Sequence, residues 1–228
     1  MSRLHYVASD GYAHCMREAV DAMDDMTFEL YMRYHFATCE REDLSGISSH
    51  ALDIFLNEDN EQVIQNDIAY YNALPCVFDG FIELPELSDE QIHLSCTSKN
   101  PAIPEKKWVP SYEFTICKGN VRIGDISLRI GYTDGLFYGG QVGYNIDKEY
   151  RGNGYAVRAC QLLPPVAKAH GMKKLLITNR HTNIASRRVC EKLGARFIRV
   201  VCTPEWSDLY TEGRRFSCIF EWDIGVGV

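Results

Sequence analysis

The sequence predicts an α/β (α+β) protein, with a mixed, mostly antiparallel sheet flanked by helices and an N-terminal helical extension. Three observations lead there. Apolar spacing is helical up to about residue 72 and changes to strand alternation from about 91. Four strand-like segments then follow one another, separated by turn residues. From about 154 onward, helical and strand patterns alternate.

In chain order, helices are expected over 14–26, 27–40, 48–56 and 60–74, each with apolar residues at helical spacing and Asp, Ser or Asn near its start. Leu44 to Ser49 is a break, and the Pro-containing stretch Leu84 to Asp89 is a junction, so residues 1–80 and 81–228 are read as separate regions. Strands are expected over 91–97, 112–118, 121–132 and 136–146. Lys118-Gly119-Asn120 and Thr133-Asp134-Gly135 would serve as hairpin turns. A helix over 154–170, a strand over 175–178, a helix over 183–193, and strands over 196–201 and 216–224 complete the order. Pro164 and Pro165 should kink the first of these helices, since each removes a helical N–H.

Charge divides the chain in the same place. Residues 1–90 hold 4 Lys/Arg against 19 Asp/Glu, whereas 91–228 hold 20 against 12. Over 148–199 the count is 12 against 2, a field suited to a multiply phosphorylated ligand. The nine cysteines are scattered, form no CxxC and stand at no zinc spacing with His, which reads as reduced thiols and no metal. No apolar run is long enough to span a bilayer, and the first residues lack an apolar core ahead of a cleavage site. A cytoplasmic protein with no membrane or nucleic-acid partner is expected; the sequence leaves the oligomeric state open, with a homodimer as the candidate.

The chemistry concentrates in Gly143 to Ala156, a strand that turns through two glycines into a helix. Amide N–H groups at a helix start lack intrahelical partners, and Gly152 and Gly154 let backbone approach an anion closely. Arg151 adds a guanidinium donor. A dinucleotide GxGxxG fails because Val157 stands at the third glycine position, and no Gly-Lys-Ser/Thr is present for a nucleoside-triphosphate loop.

Arg151-Gly152-Asn153-Gly154-Tyr155-Ala156 fits an R/Q-x-x-G-x-G/A pattern, and Asn183-Ile184-Ala185-Ser186, with Glu191 to Ala195 after it, fits the next helix of the same pattern. Over about 91–228 the chain thereby resembles the GNAT superfamily of acyl-CoA N-acyltransferases. The resemblance implies acetyl-CoA as cosubstrate and acetyl transfer to a primary amine, of a small molecule or a protein N-terminus. It further implies that the backbone of Gly152, Asn153, Gly154, Tyr155, Ala156 and Val157 holds pyrophosphate. The strand edge Tyr144, Asn145 and Ile146 would pair with the two amides of the pantetheine arm, which Asn183 would also hydrogen-bond.

Beside the proline kink at 164–165, two further departures from the family pattern qualify that reading. Many members carry a tyrosine seven residues beyond the pantetheine asparagine as acid for the leaving thiolate, and Cys190 stands there. Ser186 is the alternative donor, as proposed for relatives of the N-x-x-S form. The connection 98–110 is short where the family inserts two helices that wall the acceptor site, so the acidic N-terminal region is a candidate replacement. For the general base the candidates are Glu113, Asp125 and Glu205, and for the acceptor pocket Trp108, Tyr112, Tyr138 and Tyr210. A non-catalytic acyl-CoA-binding module is the alternative that the missing tyrosine favours.

Overall fold

The computed structural model describes residues 2–8, 51–56, 58–106, 108–180 and 182–225, with backbone alone for 2–8, 51–56, 58–60 and 106. The helices expected over 14–26 and 27–40 lie outside the described residues. The chain divides into two compact units, Met1–Val63 and Ile64–Val228.

In the first unit, β1 (Ser2–Ala8) pairs antiparallel with β2 (Ala51–Leu56). The helix expected over 48–56 is therefore corrected to a strand over 51–56, the part within the described residues. Leu52, Ile54 and Leu56 alternate with Ala51, Asp53 and Phe55, a period of two that a short segment satisfies once a partner strand takes its backbone hydrogen bonds. The helix expected just after it is present as α1 (Glu58–Asn72).

The second unit is built on two antiparallel sheets. β3 (His93–Asn100), β4 (Ser111–Lys118), β5 (Val121–Arg129) and β6 (Val142–Ile146) form one, in that spatial order. β7 (Lys174–Asn179), β8 (Arg196–Cys202) and β9 (Phe216–Asp223) form the other, in the order β7-β9-β8. Strand alternation sorts the first sheet into two faces. Tyr112, Phe114, Ile116, Ile126 and Leu128 are buried, while Ser111, Glu113, Thr115, Asp125 and Ser127 take the opposite face. The buried face packs against α3 (Tyr155–Gln161), α4 (Pro164–Ala169) and Cys190 of α5 (Ile184–Lys192). At about 1.5–3 kcal/mol per fully buried large side chain, this face is the main apolar contribution to stability.

Two elements depart from the expected pattern. Residues 134–139 are helical (α2, Asp134–Gly139) rather than the start of a strand, because Thr133 Oγ1 accepts from Leu136 N at 3.2 Å and caps the turn. Gly140, at φ 75°, ends it, so β6 starts only at Val142. The helix expected over 154–170 divides into α3 and α4, with Pro164 opening the second.

A smaller cluster covers the other face of the second sheet. Ile68 and Tyr71 of α1 meet Phe137, Tyr138, Leu176, Val201 and Ile219 there. Tyr71 donates to Glu221 Oε2 at 2.9 Å, and Lys174 and Arg196 reach the same carboxylate at 3.0 and 3.1 Å. Among the described residues, no helix is long and apolar enough to cross a membrane.

Candidate active site

Gln141, just ahead of β6, bonds across to Leu176 of β7. Gln141 is fully buried; its backbone N donates to Leu176 O at 2.8 Å, and its side-chain Oε1 accepts from Leu176 N at 2.6 Å. Its Nε2 donates to Gly131 O at 3.0 Å. Beyond this clamp β6 and β7 are the facing edges of separate sheets, and neither pairs with the other. A strand edge of this kind offers unpaired N–H and C=O groups to an extended ligand.

β6 leads directly into the glycine turn. Gly152 and Gly154 adopt φ of 83° and 79°, and a Cβ added at either would meet nothing within 4 Å. Both conformations favour glycine, and the space above the turn is open to an anion. Asn153 Nδ2 braces the turn by donating to Tyr150 O at 3.1 Å. Arg151 Nε donates to Ile146 O at 2.8 Å, which fixes the end of β6 and occupies one edge acceptor. Tyr155 is buried under the turn, with Lys118 Nζ 5.6 Å from its ring centre. This donor set, open amides above two glycines and a free strand edge leading to them, fits a pyrophosphate joined to a diamide arm.

α5 supplies the opposite side. Asn183 caps it by accepting from Ser186 N at 3.1 Å, which leaves the carboxamide NH2 as a donor. Ser186 Oγ lies 2.8 Å from the hydroxyl of Tyr144 on β6. Burial pushes the Tyr144 hydroxyl above its ordinary pKa, so it stays protonated and can donate to Ser186. The sequence pointed to the Tyr144 backbone alone; its side chain was missed because nothing in the linear order links residue 144 to 186. Cys190 is a buried thiol pushed up to about 12, chiefly by burial, and accepts from Asn179 Nδ2 at 3.7 Å. It is packing, not a nucleophile.

The remaining candidates scatter. Tyr112 does not line a pocket: it is fully buried, its hydroxyl accepts from Ile82 N at 3.0 Å and lies 2.9 Å from His170 Nε2. It is corrected to a core residue, as the alternation of β4 requires. Asp125 is exposed and tied to Arg122, which also reaches Asp147 at 2.8 Å. Glu113 pairs across to Ser127, whose own partner in β6 is Gly143. Trp108 is exposed in the β3–β4 connection. Tyr138, on α2, is buried with its ring 5.8 Å from that of Trp206. Tyr210 and Glu205 meet each other, hydroxyl to carboxylate, at 3.4 Å.

The basic run over 148–199 is partly neutralised by acids from outside it. Arg158 pairs with Asp89 at 2.9 Å, Arg199 with Asp67 at 2.6 Å, and Lys174 and Arg196 with Glu221. Among the described residues, no group of three or more His, Cys, Asp or Glu is placed to hold a metal ion.

Compared with known proteins, residues 82–196 match the family model described as the Acetyltransferase (GNAT) domain. No curated protein sequence matches the chain significantly. Solved structures similar to it include the acetyltransferase from Salmonella typhimurium that modifies the N-terminal serine of ribosomal protein L7/L12. That match has 17% identity and a TM-score of 0.40, over 50% of this chain and 63% of that one. A probable GNAT-family acetyltransferase from Chromobacterium violaceum matches at 13% identity and a TM-score of 0.46, over 67% of this chain and 92% of that one. The microcin C7 self-immunity acetyltransferase MccE, in complex with acetyl-CoA and AMP, matches at 17% identity and 0.40, over 50% of this chain and 61% of that one. The match thus spans less than two thirds of the length of the Salmonella protein and of MccE.

Proposed function

Because the chain belongs to the GNAT acetyltransferase family, we propose that it is an N-acetyltransferase moving an acetyl group from acetyl-CoA to a primary amine, by direct transfer with both substrates bound. The observation that carries this reading is the unpaired edge of β6 running into the Gly152–Gly154 turn. Backbone amides of 152–157 hold pyrophosphate, and the Tyr144 to Ile146 edge, with the Asn183 carboxamide, holds the pantetheine arm. A strand-edge N–H near Ile146 polarises the thioester carbonyl.

Ser186 is the proton donor to the departing thiolate in this reading. Either hydroxyl of the Tyr144–Ser186 pair can donate; with Tyr144 as donor, the serine O–H is left free for the thiolate. The amine must lose a proton before or during attack, and Glu113 is the base candidate, because its register through Ser127 to Gly143 sets it across the sheet from β6. Asp125 is held by Arg122 and Glu205 by Tyr210, which leaves neither as well disposed to accept a proton.

The acceptor is a small-molecule amine or a protein N-terminus. Seven cysteines among the described residues are free thiols, which suits the reducing cytoplasm. Calorimetric titration with acetyl-CoA tests the coenzyme half of the proposal: Asn183→Ala should weaken binding several-fold, as the loss of about one hydrogen bond requires. Unchanged affinity in a folded Asn183→Ala protein would contradict the assignment of that side chain.

A further inference from the structure

The Thr203–Arg215 loop between β8 and β9 carries a buried cation with unpartnered N–H groups. Arg214 is 9% exposed, and its Nε and Nη2 are closed off from water with no hydrogen-bond partner. Elsewhere in the molecule a buried charge is fully met: Glu221, 6% exposed, receives Tyr71, Lys174 and Arg196. Arg214 instead has a second guanidinium for a neighbour, that of Arg180, held in place by a bond from its Nη2 to Glu212 O at 3.2 Å. Burial first, and the Arg180 charge second, hold the Arg214 pKa below its ordinary value, against a weaker opposing pull from the Glu212 carboxylate.

We propose that Arg214, with Arg180 beside it, binds an oxyanion, a carboxylate or phosphate, carried by the acceptor amine. The proposal rests on the acetyl-transfer reading above and adds the acceptor's chemical class: a primary amine that also bears an acidic group. A planar guanidinium with two parallel N–H bonds matches such a group, and burial strengthens the attraction. The assignment to the acceptor rather than the coenzyme follows from placement. The glycine turn follows β6 in the four-stranded sheet, whereas Arg180 and Arg214 flank β7 and β9 in the other. The same loop closes over α2, with Trp206 against Tyr138 and Leu209 Cδ1 4.0 Å from where a Gly139 side chain would begin.

Inorganic phosphate serves as the probe, added to the full chain already saturated with acetyl-CoA so that the glycine turn is filled. Phosphate should raise the melting temperature and shift the Arg214 Nε–H resonance of the unaltered protein. Arg214→Met should lose the phosphate response and melt higher than the unaltered chain in phosphate-free buffer, because an uncompensated buried charge has been removed. Arg214→Lys should keep a reduced response. A phosphate response that survives in Arg214→Met, or that disappears once acetyl-CoA is bound, overturns the acceptor-anion site. So does a lower melting temperature for Arg214→Met in phosphate-free buffer, and so does an Arg214 resonance that phosphate leaves in place. Calorimetry with acetyl-CoA alone separates the two layers: absent coenzyme binding defeats the transferase reading, while intact binding without a phosphate response defeats only this one.

Discussion

The hydroxyl of Tyr144 lies 2.8 Å from Ser186 Oγ, joining the free edge strand β6 to the first turn of α5 across the candidate cleft. In the proposed mechanism this pair takes the role of a tyrosine that the family pattern would put on α5 itself, where this chain has the buried Cys190.

If Ser186 protonates the departing thiolate, Ser186→Ala should lower kcat by about 10- to 100-fold, the range of one hydrogen bond to a charged group. Tyr144→Phe should lower it less, because it only frees the serine from its orientation. The double variant should be no worse than Ser186→Ala alone, since the two act as one unit. Steady-state kinetics on the four proteins checks this; an unchanged kcat in Ser186→Ala removes the serine from the mechanism.

Gly154→Glu should abolish acetyl-CoA binding, because a carboxylate would occupy the open space where phosphate must meet amides. Gly154→Ala separates charge from strain. At φ 79° the alanine costs about 1 kcal/mol of stability, yet it should still bind the coenzyme measurably. Calorimetry and thermal melts read the two effects independently.

Gln141, fully buried, makes two hydrogen bonds across to Leu176 of β7 and a third to Gly131 O. Gln141→Met keeps the volume but strands the Leu176 N–H and the Gly131 carbonyl, and should destabilise the protein by about 2–4 kcal/mol. Chemical denaturation measures it; a loss below about 0.5 kcal/mol would mean that the clamp is incidental.

Glu221 gives a pH dependence of known sign. Burial alone would raise its pKa, but hydrogen bonds from Lys174, Tyr71 and Arg196 outweigh it and hold the carboxyl below its ordinary value. The stabilisation is therefore complete above the unfolded pKa of about 4.3 and is lost as pH falls through the folded value. Glu221→Gln should flatten this acid limb of stability, as measured by melting temperature between about pH 3 and 6. An identical acid limb in the variant would assign it to other carboxylates.

Much of the second unit was legible because its signals are local. Alternation in Tyr112-Glu113-Phe114-Thr115-Ile116 marked β4, and Pro164 marked the break between α3 and α4. The glycine turn was legible for the same reason: strand end, two glycines and helix start lie within a dozen residues. What the linear order hid is long-range. No local rule joins Tyr144 to Ser186, Gln141 to Leu176, or Arg158 to Asp89, and a charge count over 148–199 cannot include the acids that the fold brings from 67, 89 and 221. The strand at 51–56 was missed because its partner, 2–8, is distant in sequence, and α2 because a threonine cap outweighed strand-forming Phe137 and Tyr138.

The central claim is catalysis by direct transfer, and initial-rate kinetics over a panel of primary amines, following release of free coenzyme A thiol at varied acetyl-CoA, tests it most directly. The account predicts turnover with at least one amine and double-reciprocal lines that intersect, because both substrates must be bound before transfer. Parallel lines would indicate an acetylated enzyme instead, and tight acetyl-CoA binding without turnover on any amine would make the chain a non-catalytic acyl-CoA-binding module.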